Sequence, residues 1–384
     1  MRLVRLEVAD WRNLSAATLE TDARFVVLHG DNAQGKTNLL EAVWTLATLR
    51  SFRDSKVQRL VKHGCDATRV DGVASGDYGR RRLRWGRSNA NTPSRTLQMD
   101  GQNIRQLRDW FAVLRAVLFC PQHSAIIRGG PVERRAFVDR AAFTMRPAHL
   151  DVVRQYSRVL RHKAALLRSS SPPKAQIEAW NAQLAVLGGR LAARRSEALA
   201  DLTGPFVAAH AAIAGRAAGT ARLRLRGVGR TEPEERLVAE AVAGVLAEKL
   251  AASLDEERRQ GRCLVGPHRD DLVVELDGHL ARNFASQGQA RSLVLSLKLA
   301  ELGAARAQGQ SPLFLLDDLT SELDKGRMDR LMDVLADLDN QVWVTTTDPR
   351  WLGPLPGGDV ASWQVVQGTV TPDSSTLKET TKTT

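Results

Sequence analysis

The feature that most constrains this chain is an eight-residue loop near its N-terminus, Gly30–Thr37, which reads GDNAQGKT. It fits the pattern GxxxxGK[ST] at every fixed position. A short buried strand is predicted before it at Phe25–Leu28, and an apolar helical pattern follows at Leu39–Leu46. Successive N–H groups of such a loop, together with the helix N-terminus, point at one anion. The loop therefore predicts a phosphate-binding unit within an α/β fold.

Two side chains of this loop have chemistry suited to a nucleoside triphosphate. Lys36 can bridge the β- and γ-phosphates, and the Thr37 hydroxyl can ligate Mg²⁺. We expect every residue of the loop to contact the nucleotide: Gly30, Asp31, Asn32, Ala33, Gln34, Gly35, Lys36 and Thr37. ATP and Mg²⁺ are the expected cofactors.

A phosphate loop needs a carboxylate on the metal side, and the chain supplies one far downstream. The apolar run Leu313–Leu316 ends in Asp317 and Asp318. Buried parallel strands have this pattern, and ligands gather at the C-terminal ends of such strands. Asp317 is the predicted Mg²⁺ ligand. Asp318 is the predicted catalytic group that orients or activates the attacking water, together with Lys36 on the phosphates.

The segment between these motifs has a different character. A helical pattern runs from Arg134 to about Arg168, and Ser169–Pro173 breaks it. A second helical run covers 177–191. The two runs predict either a short coiled-coil-like hairpin or two ordinary amphipathic helices, and both readings give a helical insertion.

The predicted architecture is an α/β domain made from both chain ends and interrupted by a helical arm. Further strands are expected at 113–119, 272–276 and 342–345. The predicted division is a head at 1–130 and 255–370, an arm at 131–254 and a disordered tail at 371–384.

Composition narrows the class of partner. Lys and Arg number 55 against 43 Asp and Glu, which gives a formal net charge of +12. Such an excess favours nucleic acid ahead of a membrane surface, with an Arg-rich composition as the alternative explanation. Basic residues cluster around Trp85 (Arg80, Arg81, Arg82, Arg84, Arg87) and along the insertion (Arg134, Arg135, Arg154, Arg158, Arg161, Lys163, Arg168). Both groups fit either phosphate contacts or a solvated face.

Other classes are disfavoured by the sequence. No apolar run approaches the roughly 20 residues that cross a bilayer, and no signal-peptide pattern opens the chain. Cys65, Cys120 and Cys263 lie far apart and form no zinc spacing. We therefore expect a cytoplasmic protein without a membrane partner.

The order of two further motifs indicates a family. Ser286–Gln289 (SQGQ) opens a helix before the acidic strand, and Ser321–Asp324 (SELD) follows that strand. With the phosphate loop and the long insertion, this order resembles the ABC-type ATPase heads of the SMC and Rad50 group, and most closely the RecF family of recombination mediators. Further marks of that family are Gly266–Asp271, Glu133–Asp139, Ser51–Arg53 and Thr345–Asp348. The resemblance covers about residues 1–370.

The resemblance implies roles at a dimer interface. Ser286, Gly288 and Gln289 resemble the ABC signature, which contacts the γ-phosphate bound to the opposite subunit. Ser321 and Asp324 resemble the D-loop, which crosses that interface.

It also implies three further positions near the nucleotide. Arg12 and Asn13 occupy the place where related heads contact nucleotide. Gln122 resembles the Q-loop residue that senses Mg²⁺, although His123 stands where an acid is common. Thr347 or Asp348 occupies the place of the transporters' switch histidine.

A dimer follows because one signature cannot reach its own phosphate loop. Two heads must meet and bury two ATP molecules between them, and slow hydrolysis releases them as a switch rather than a metabolic reaction. The resemblance further implies binding at gaps and at junctions between single- and double-stranded DNA. There the protein would help RecO and RecR load RecA in recombinational repair, replication restart and the SOS response.

Two other ABC-type systems compete with this reading. A transporter's ATPase subunit predicts a switch histidine and an LSGGQ signature, and Thr345–Thr347 and the Arg-rich insertion argue against it. A nuclease-linked head predicts a further acidic nuclease domain.

Overall fold

The computed structural model describes residues 1–373 apart from residues 55, 78, 91, 93, 216–217, 229–235 and 358. The strands of the described residues are β1 (Arg2–Trp11), β2 (Leu14–Glu20), β3 (Phe25–His29), β4 (Ala67–Gly76), β5 (Gly79–Ser88), β6 (Ser94–Met99), β7 (Gln102–Asn103), β8 (Ala116–Phe119), β9 (Ala221–Arg226), β10 (Asp271–Leu276), β11 (His279–Leu280), β12 (Leu313–Leu316), β13 (Val342–Thr346), β14 (Val360–Val366) and β15 (Thr369–Pro372).

The α-helices of the same residues are α1 (Lys36–Thr48), α2 (Leu107–Val113), α3 (Ala125–Arg128), α4 (Pro131–Met145), α5 (His149–Leu167), α6 (Lys174–Ala214), α7 (Ala239–Ala252), α8 (Leu254–Gln260), α9 (Ala281–Phe284), α10 (Gln287–Ala307), α11 (Leu319–Glu322) and α12 (Lys325–Ala336). In this part of the chain no helix combines the length and the apolar character needed to cross a bilayer.

These elements form two compact units. The head unit contains Met1–Gln122 and Ala305–Thr384, and the arm unit contains His123–Ala304. Both chain ends therefore contribute to the head. The sequence prediction ended the arm at residue 254, so the two divisions differ mainly over residues 255–304, which the structure groups with the arm unit.

A six-stranded sheet in the head unit positions the candidate site. Its order is β15-β14-β3-β13-β12-β8, with β15 antiparallel and the other strands parallel. Strands β3, β12 and β8 are almost wholly buried apolar runs, as expected for a parallel sheet. Because β3, β12 and β13 run in one direction, the residues after them meet at the same edge of the sheet.

Helix α1 packs in the head unit between this sheet and an antiparallel sheet of order β2-β1-β4-β5-β6-β7. Its buried residues include Leu39, Leu40 and Val43 of the predicted apolar pattern. In the antiparallel sheet, Trp11 and Trp85 are fully buried and pack edge to face, with ring centroids 5.5 Å apart. Trp85 is therefore a core residue and not an exposed aromatic within the basic cluster.

The arm unit has its own core. Tyr156 of α5, Leu184 and Leu191 of α6, and Leu246 of α7 pack together. The two predicted helical runs are present, and a third helix packs against them. Strands β9, β10 and β11 form a small antiparallel sheet in the same unit.

Several elements differ from the sequence prediction. The strand predicted at 113–119 begins only at Ala116, because Leu107–Val113 is helical. The single helical pattern predicted up to Arg168 is two helices, α4 and α5, interrupted before Pro147, which lacks the N–H that a helix interior requires. Strands β9, β14 and β15 were not predicted. β15 extends to Pro372, so the predicted tail begins within a strand, and residues 374–384 lie outside the described part of the chain.

Candidate nucleotide-binding site

The phosphate loop connects β3 to α1 in the head unit. The Lys36 ammonium donates hydrogen bonds to the carbonyl oxygens of Gly30 and Asp31 at 2.6 and 2.7 Å. Burial lowers the pKa of Lys36, and the nearby charges of Asp318, Asp31 and Asp317 partly offset that effect. The ammonium therefore spans the concave side of the loop, where it can exchange these carbonyls for phosphate oxygens.

Two turns from opposite ends of the chain hold this loop. The Asn13 side-chain amide donates to the Gln34 carbonyl at 3.1 Å, and the Gly368 N–H donates to the same oxygen at 2.9 Å. The Gln367 N–H donates to the Gln34 side-chain oxygen at 2.6 Å. Gly30 also has no room for a side chain, because a β-carbon would overlap the Val365 carbonyl of β14. We call the β14–β15 turn, Gln367–Gly368, the hairpin clamp.

The metal side of the site is a hydroxyl–carboxylate pair. The Thr37 hydroxyl donates to Asp317 Oδ1 at 2.8 Å, and the Thr345 hydroxyl of β13 donates to the same oxygen at 2.9 Å. Burial raises the pKa of Asp317, and the two hydroxyls partly counter it. Hard oxygen donors in this number fit Mg²⁺, which prefers one or two protein ligands beside water and phosphate oxygens. The described residues hold no cluster of three or more His, Cys, Asp or Glu suited to a metal.

Asp318 has a backbone conformation that is uncommon for residues other than glycine. Its φ is 52°, in the left-handed region, and its N–H donates to the Thr345 hydroxyl at 2.8 Å. A non-glycine residue at positive φ is uncommon and is often found at functional sites. Asp318 also lines the cleft, where its predicted role as the water-activating group stays a prediction.

The cleft beside the loop has a volume of about 450 Å³, within the range of small-molecule sites. It is lined by Asn13, Asn32, Ala33, Gln34, Gly35, Lys36, Thr37, Asn38, Arg53, Pro121, Gln122, Asp317, Asp318 and Thr345. Most of the head-unit residues predicted for nucleotide and metal thus meet in one place, Gln122 included. Arg53 and Thr345 also line the cleft, and the sequence analysis did not place them beside the nucleotide.

Arg12 is paired with an acidic side chain of α1. Its guanidinium forms two hydrogen bonds with the fully buried Glu41 carboxylate, at 2.7 and 2.9 Å. Ser51 donates to the same carboxylate, and Arg53 donates to Asn38 at 2.7 Å. The segment Ser51–Arg53 is thereby tied to α1. Asn13 lines the cleft, and the nucleotide contact of Arg12 stays a prediction.

The predicted signature lies in the arm unit and begins α10. The Ser286 N–H donates to the Gln289 side chain at 2.8 Å, and the Gln289 N–H donates to the Ser286 hydroxyl at 3.2 Å. This reciprocal pair is a capping box, which satisfies two otherwise free N–H groups. Gly288 lies in the first turn of the helix. The assignment of Ser286, Gly288 and Gln289 to a neighbour's γ-phosphate stays a prediction.

The predicted D-loop follows Asp318 in the head unit. The Ser321 hydroxyl donates to the Asp318 carbonyl at 3.0 Å, and Asp324 caps α12 by accepting from the Arg327 N–H at 2.9 Å. That N–H holds the pKa of Asp324 below its usual value. Asp348 likewise caps a 3₁₀ turn and is paired with Arg350 at 2.7 Å. The interface roles of Ser321 and Asp324 remain predictions.

The family motifs Glu133–Asp139 and Gly266–Asp271 are far apart in the sequence, but buried ion pairs join them in the arm unit. Arg134 makes two hydrogen bonds with Asp271, at 2.6 and 3.0 Å. Arg195 makes two with Asp139, both at 2.8 Å, and contacts Asp270 at 3.3 Å. Burial alone would raise the pKa of Asp139, but the charge of Arg195 outweighs burial and lowers this pKa. Arg195 had no sequence signal, because its partners lie 56 and 75 residues away along the chain.

Fold and site together define the class of this protein: an ABC-type ATPase head with a helical insertion. The family model described as RecF/RecN/SMC N terminal domain matches residues 2–353. The DNA replication and repair protein RecF of Anaeromyxobacter sp. (strain Fw109-5) is 41% identical over 97% of this chain and 99% of its own length. The chain therefore belongs to the RecF family of DNA replication and repair proteins.

Solved structures agree with this membership. A structure described as the recombination mediator protein RecF with ATP in the RecFOR pathway matches with a TM-score of 0.86 at 27% identity, over 97% of each chain. An Smc head bound to the C-terminal winged-helix domain of ScpA matches with a TM-score of 0.58 at 13% identity, over the whole of both chains, which shows the fold alone. The resemblance and the fold class deduced from the sequence are confirmed.

Proposed function

We propose that this chain is an ATP-dependent DNA-binding protein of recombinational repair. The observation that carries the proposal is the Thr37–Asp317 pair, 2.8 Å apart beside the phosphate loop. A hydroxyl and a carboxylate in this relation to a GKT lysine would hold a nucleotide-bound Mg²⁺, and that ion would neutralise phosphate charge. The relative described with ATP supports ATP as the nucleotide.

ATP acts between two copies of the chain in this proposal. Each copy lends its Ser286-capped helix and the Ser321–Asp324 turn to the phosphate loop of the other, so two nucleotides complete the interface. Asp318 then activates or orients the water that attacks the γ-phosphate, and Lys36 stabilises the transferred charge. Hydrolysis is slow, because its purpose is to release the dimer.

DNA and the other mediators are the proposed partners. The dimer binds gapped DNA and junctions of single- and double-stranded DNA in the cytoplasm. There it contacts RecR and, with RecO, promotes loading of RecA during repair, replication restart and the SOS response. Support comes from the net charge of +12 and from the relative described as part of the RecFOR pathway.

The test is DNA binding by the full-length chain with gapped, duplex and single-stranded probes, each with ATP and Mg²⁺, with ADP, or without nucleotide. We expect ATP to tighten binding by about tenfold or more, the size of a coupling of about 1.4 kcal/mol, with the gapped probe bound best. Equal affinities in all nucleotide states would contradict the proposal.

A further inference from the structure

One face of α5, continued by its C-cap residue Arg168, carries a row of arginines. Arg154, Arg158, Arg161 and Arg168 follow one another at steps of four, three and seven residues, which places them on the same side of a helix. All four are exposed. We call them the α5 stripe. At 1.5 Å per residue the stripe is about 21 Å long. The opposite side of α5, which includes Tyr156, Val159 and Leu167, is buried in the arm core.

The described part of the chain offers the stripe no ion-pair partner. None of its four guanidinium groups forms an ion pair with a carboxylate of the described residues. The inward-facing Lys163 is different: it is fully buried and pairs with Glu257 at 2.5 Å. Arg154 and Arg158, and Arg158 and Arg161, are neighbours of like charge, an arrangement that weakens an isolated helix. An external anion would relieve this repulsion.

The other basic cluster seen in the sequence behaves differently. Of its five arginines on β5, Arg81 pairs with Asp100 at 2.8 Å, and Arg82 and Arg84 lie 3.9 and 2.6 Å from the buried Asp71. Much of the β5 charge is thus neutralised by the head unit's own acids. The α5 stripe is the stronger candidate for an external anion.

The chemistry of the stripe indicates the kind of anion. Protein interfaces are anchored by buried apolar or aromatic side chains. The large exposed hydrophobic residues of the described chain are Val132, Val186, Val207, Val238, Val245, Phe284, Trp351 and Val366, none of which lies on α5. A long row of guanidinium groups without apolar anchors suits the regularly spaced phosphates of a nucleic acid, since each strand of a duplex carries one phosphate per about 3.4 Å of helix axis.

We infer that the α5 stripe is a track for the phosphate backbone of DNA, independent of base sequence. The inference rests on the proposed function and names the surface through which that function meets DNA. Backbone contacts release counterions, so each arginine of the stripe contributes to the salt dependence of binding.

The test compares full-length variants with the same loss of charge. The stripe variant is R154Q/R158Q/R161Q/R168Q. The control variant, R5Q/R108Q/R224Q/R236Q, removes four arginines that are each within ion-pair distance of an acid. A third variant replaces the stripe arginines by lysine. Mixed-sequence duplex and gapped DNA are titrated with ATP and Mg²⁺ at several KCl concentrations, and ATP affinity and melting temperature are measured separately.

We expect the stripe variant to bind DNA more than about tenfold more weakly, with the slope of log affinity against log salt reduced by about 3 to 4. The control and lysine variants should stay close to wild type, and all should bind ATP normally. Wild-type affinity and slope in the stripe variant would overturn the inference and leave the proposed function intact. A polyglutamate peptide is titrated in parallel as a model of an acidic protein partner. If the stripe variant lost binding to polyglutamate but kept its DNA affinity, the inference would also be overturned in favour of such a partner. A wild-type chain that does not bind DNA would overturn both.

Discussion

At Asp317 a single carboxylate oxygen accepts hydrogen bonds from two hydroxyls that reach it from different elements. Thr37 belongs to the phosphate loop and Thr345 to β13, 28 residues further along the chain than Asp317. The first contact could be anticipated, because Thr37 and Asp317 each sit in a recognisable motif. The second depends on β13 lying beside β12, which a single sequence does not reveal. The same Thr345 hydroxyl accepts from Asp318, so one threonine orients both acids.

Another residue-scale contact makes stability depend on pH. The Tyr156 hydroxyl lies 2.7 Å from Nδ1 of His268, whose Nε2 faces the Cys263 carbonyl at 3.4 Å. Burial, with the nearby charges of Arg269 and Lys163, lowers the pKa of His268 to about 4. The folded state thus holds a neutral imidazole that the unfolded chain protonates near pH 6.5.

Stability contributed by His268 is therefore complete above about pH 6.5 and is lost as the pH falls towards 4. Between pH 7 and pH 5 we expect wild type to lose about 1–2 kcal/mol of unfolding free energy more than His268→Gln. Chemical denaturation at the two pH values measures the difference. If wild type and the variant lost the same unfolding free energy between pH 7 and pH 5, His268 would not be held neutral in the folded state.

At the scale of elements, the hairpin clamp is the feature that sequence patterns missed most completely. β14 and β15 follow the last motif, and their pattern gave no strand prediction. Yet their turn supplies two N–H donors to Gln34, 333 residues away in the chain. The phosphate loop is thus fixed from the outside, by backbone groups that no motif records. We expect the clamp to preorganise the loop for nucleotide.

Replacing Gly368 by Ala tests the clamp, with Gly101→Ala as the matched control. Both glycines have a left-handed φ, 78° and 82°, in tight hairpin turns. A β-carbon at Gly368 would lie 2.5 Å from the Asn13 carbonyl, whereas at Gly101 it would meet no described atom within 4 Å. The turn strain of about 1 kcal/mol is therefore common to both variants.

We expect Gly368→Ala to weaken ATP binding by about tenfold, equivalent to 1.4 kcal/mol, while Gly101→Ala binds ATP as wild type does. Equilibrium titration with a fluorescent ATP analogue measures this. Equal ATP affinities in the two variants would show that the hairpin clamp does not preorganise the phosphate loop for nucleotide.

For the whole molecule, the order of motifs along the chain was enough to predict an ABC-type head made from both ends. Each motif adjoins a strand or helix of its own. In a parallel sheet the C-terminal ends of the strands lie at one edge, so the motifs meet there regardless of the length of the segments that connect the strands. The arm was harder to predict. Its ionic network joins Arg195 to Asp139 and Asp270, and periodicity does not specify which buried charges will pair. The predicted roles of Ser286–Gln289 and Ser321–Asp324 belong to an assembly of two chains and await a test at that scale.

Sedimentation velocity of the full-length chain with saturating ATP and Mg²⁺ is that test. Wild type should shift from monomer to dimer. Lys36→Ala, which removes the ammonium that spans the loop, should remain monomeric, and Asp318→Asn should form a dimer that persists because hydrolysis is blocked. A wild-type chain that stays monomeric with nucleotide bound, or a Lys36→Ala variant that dimerises equally well, would contradict the account.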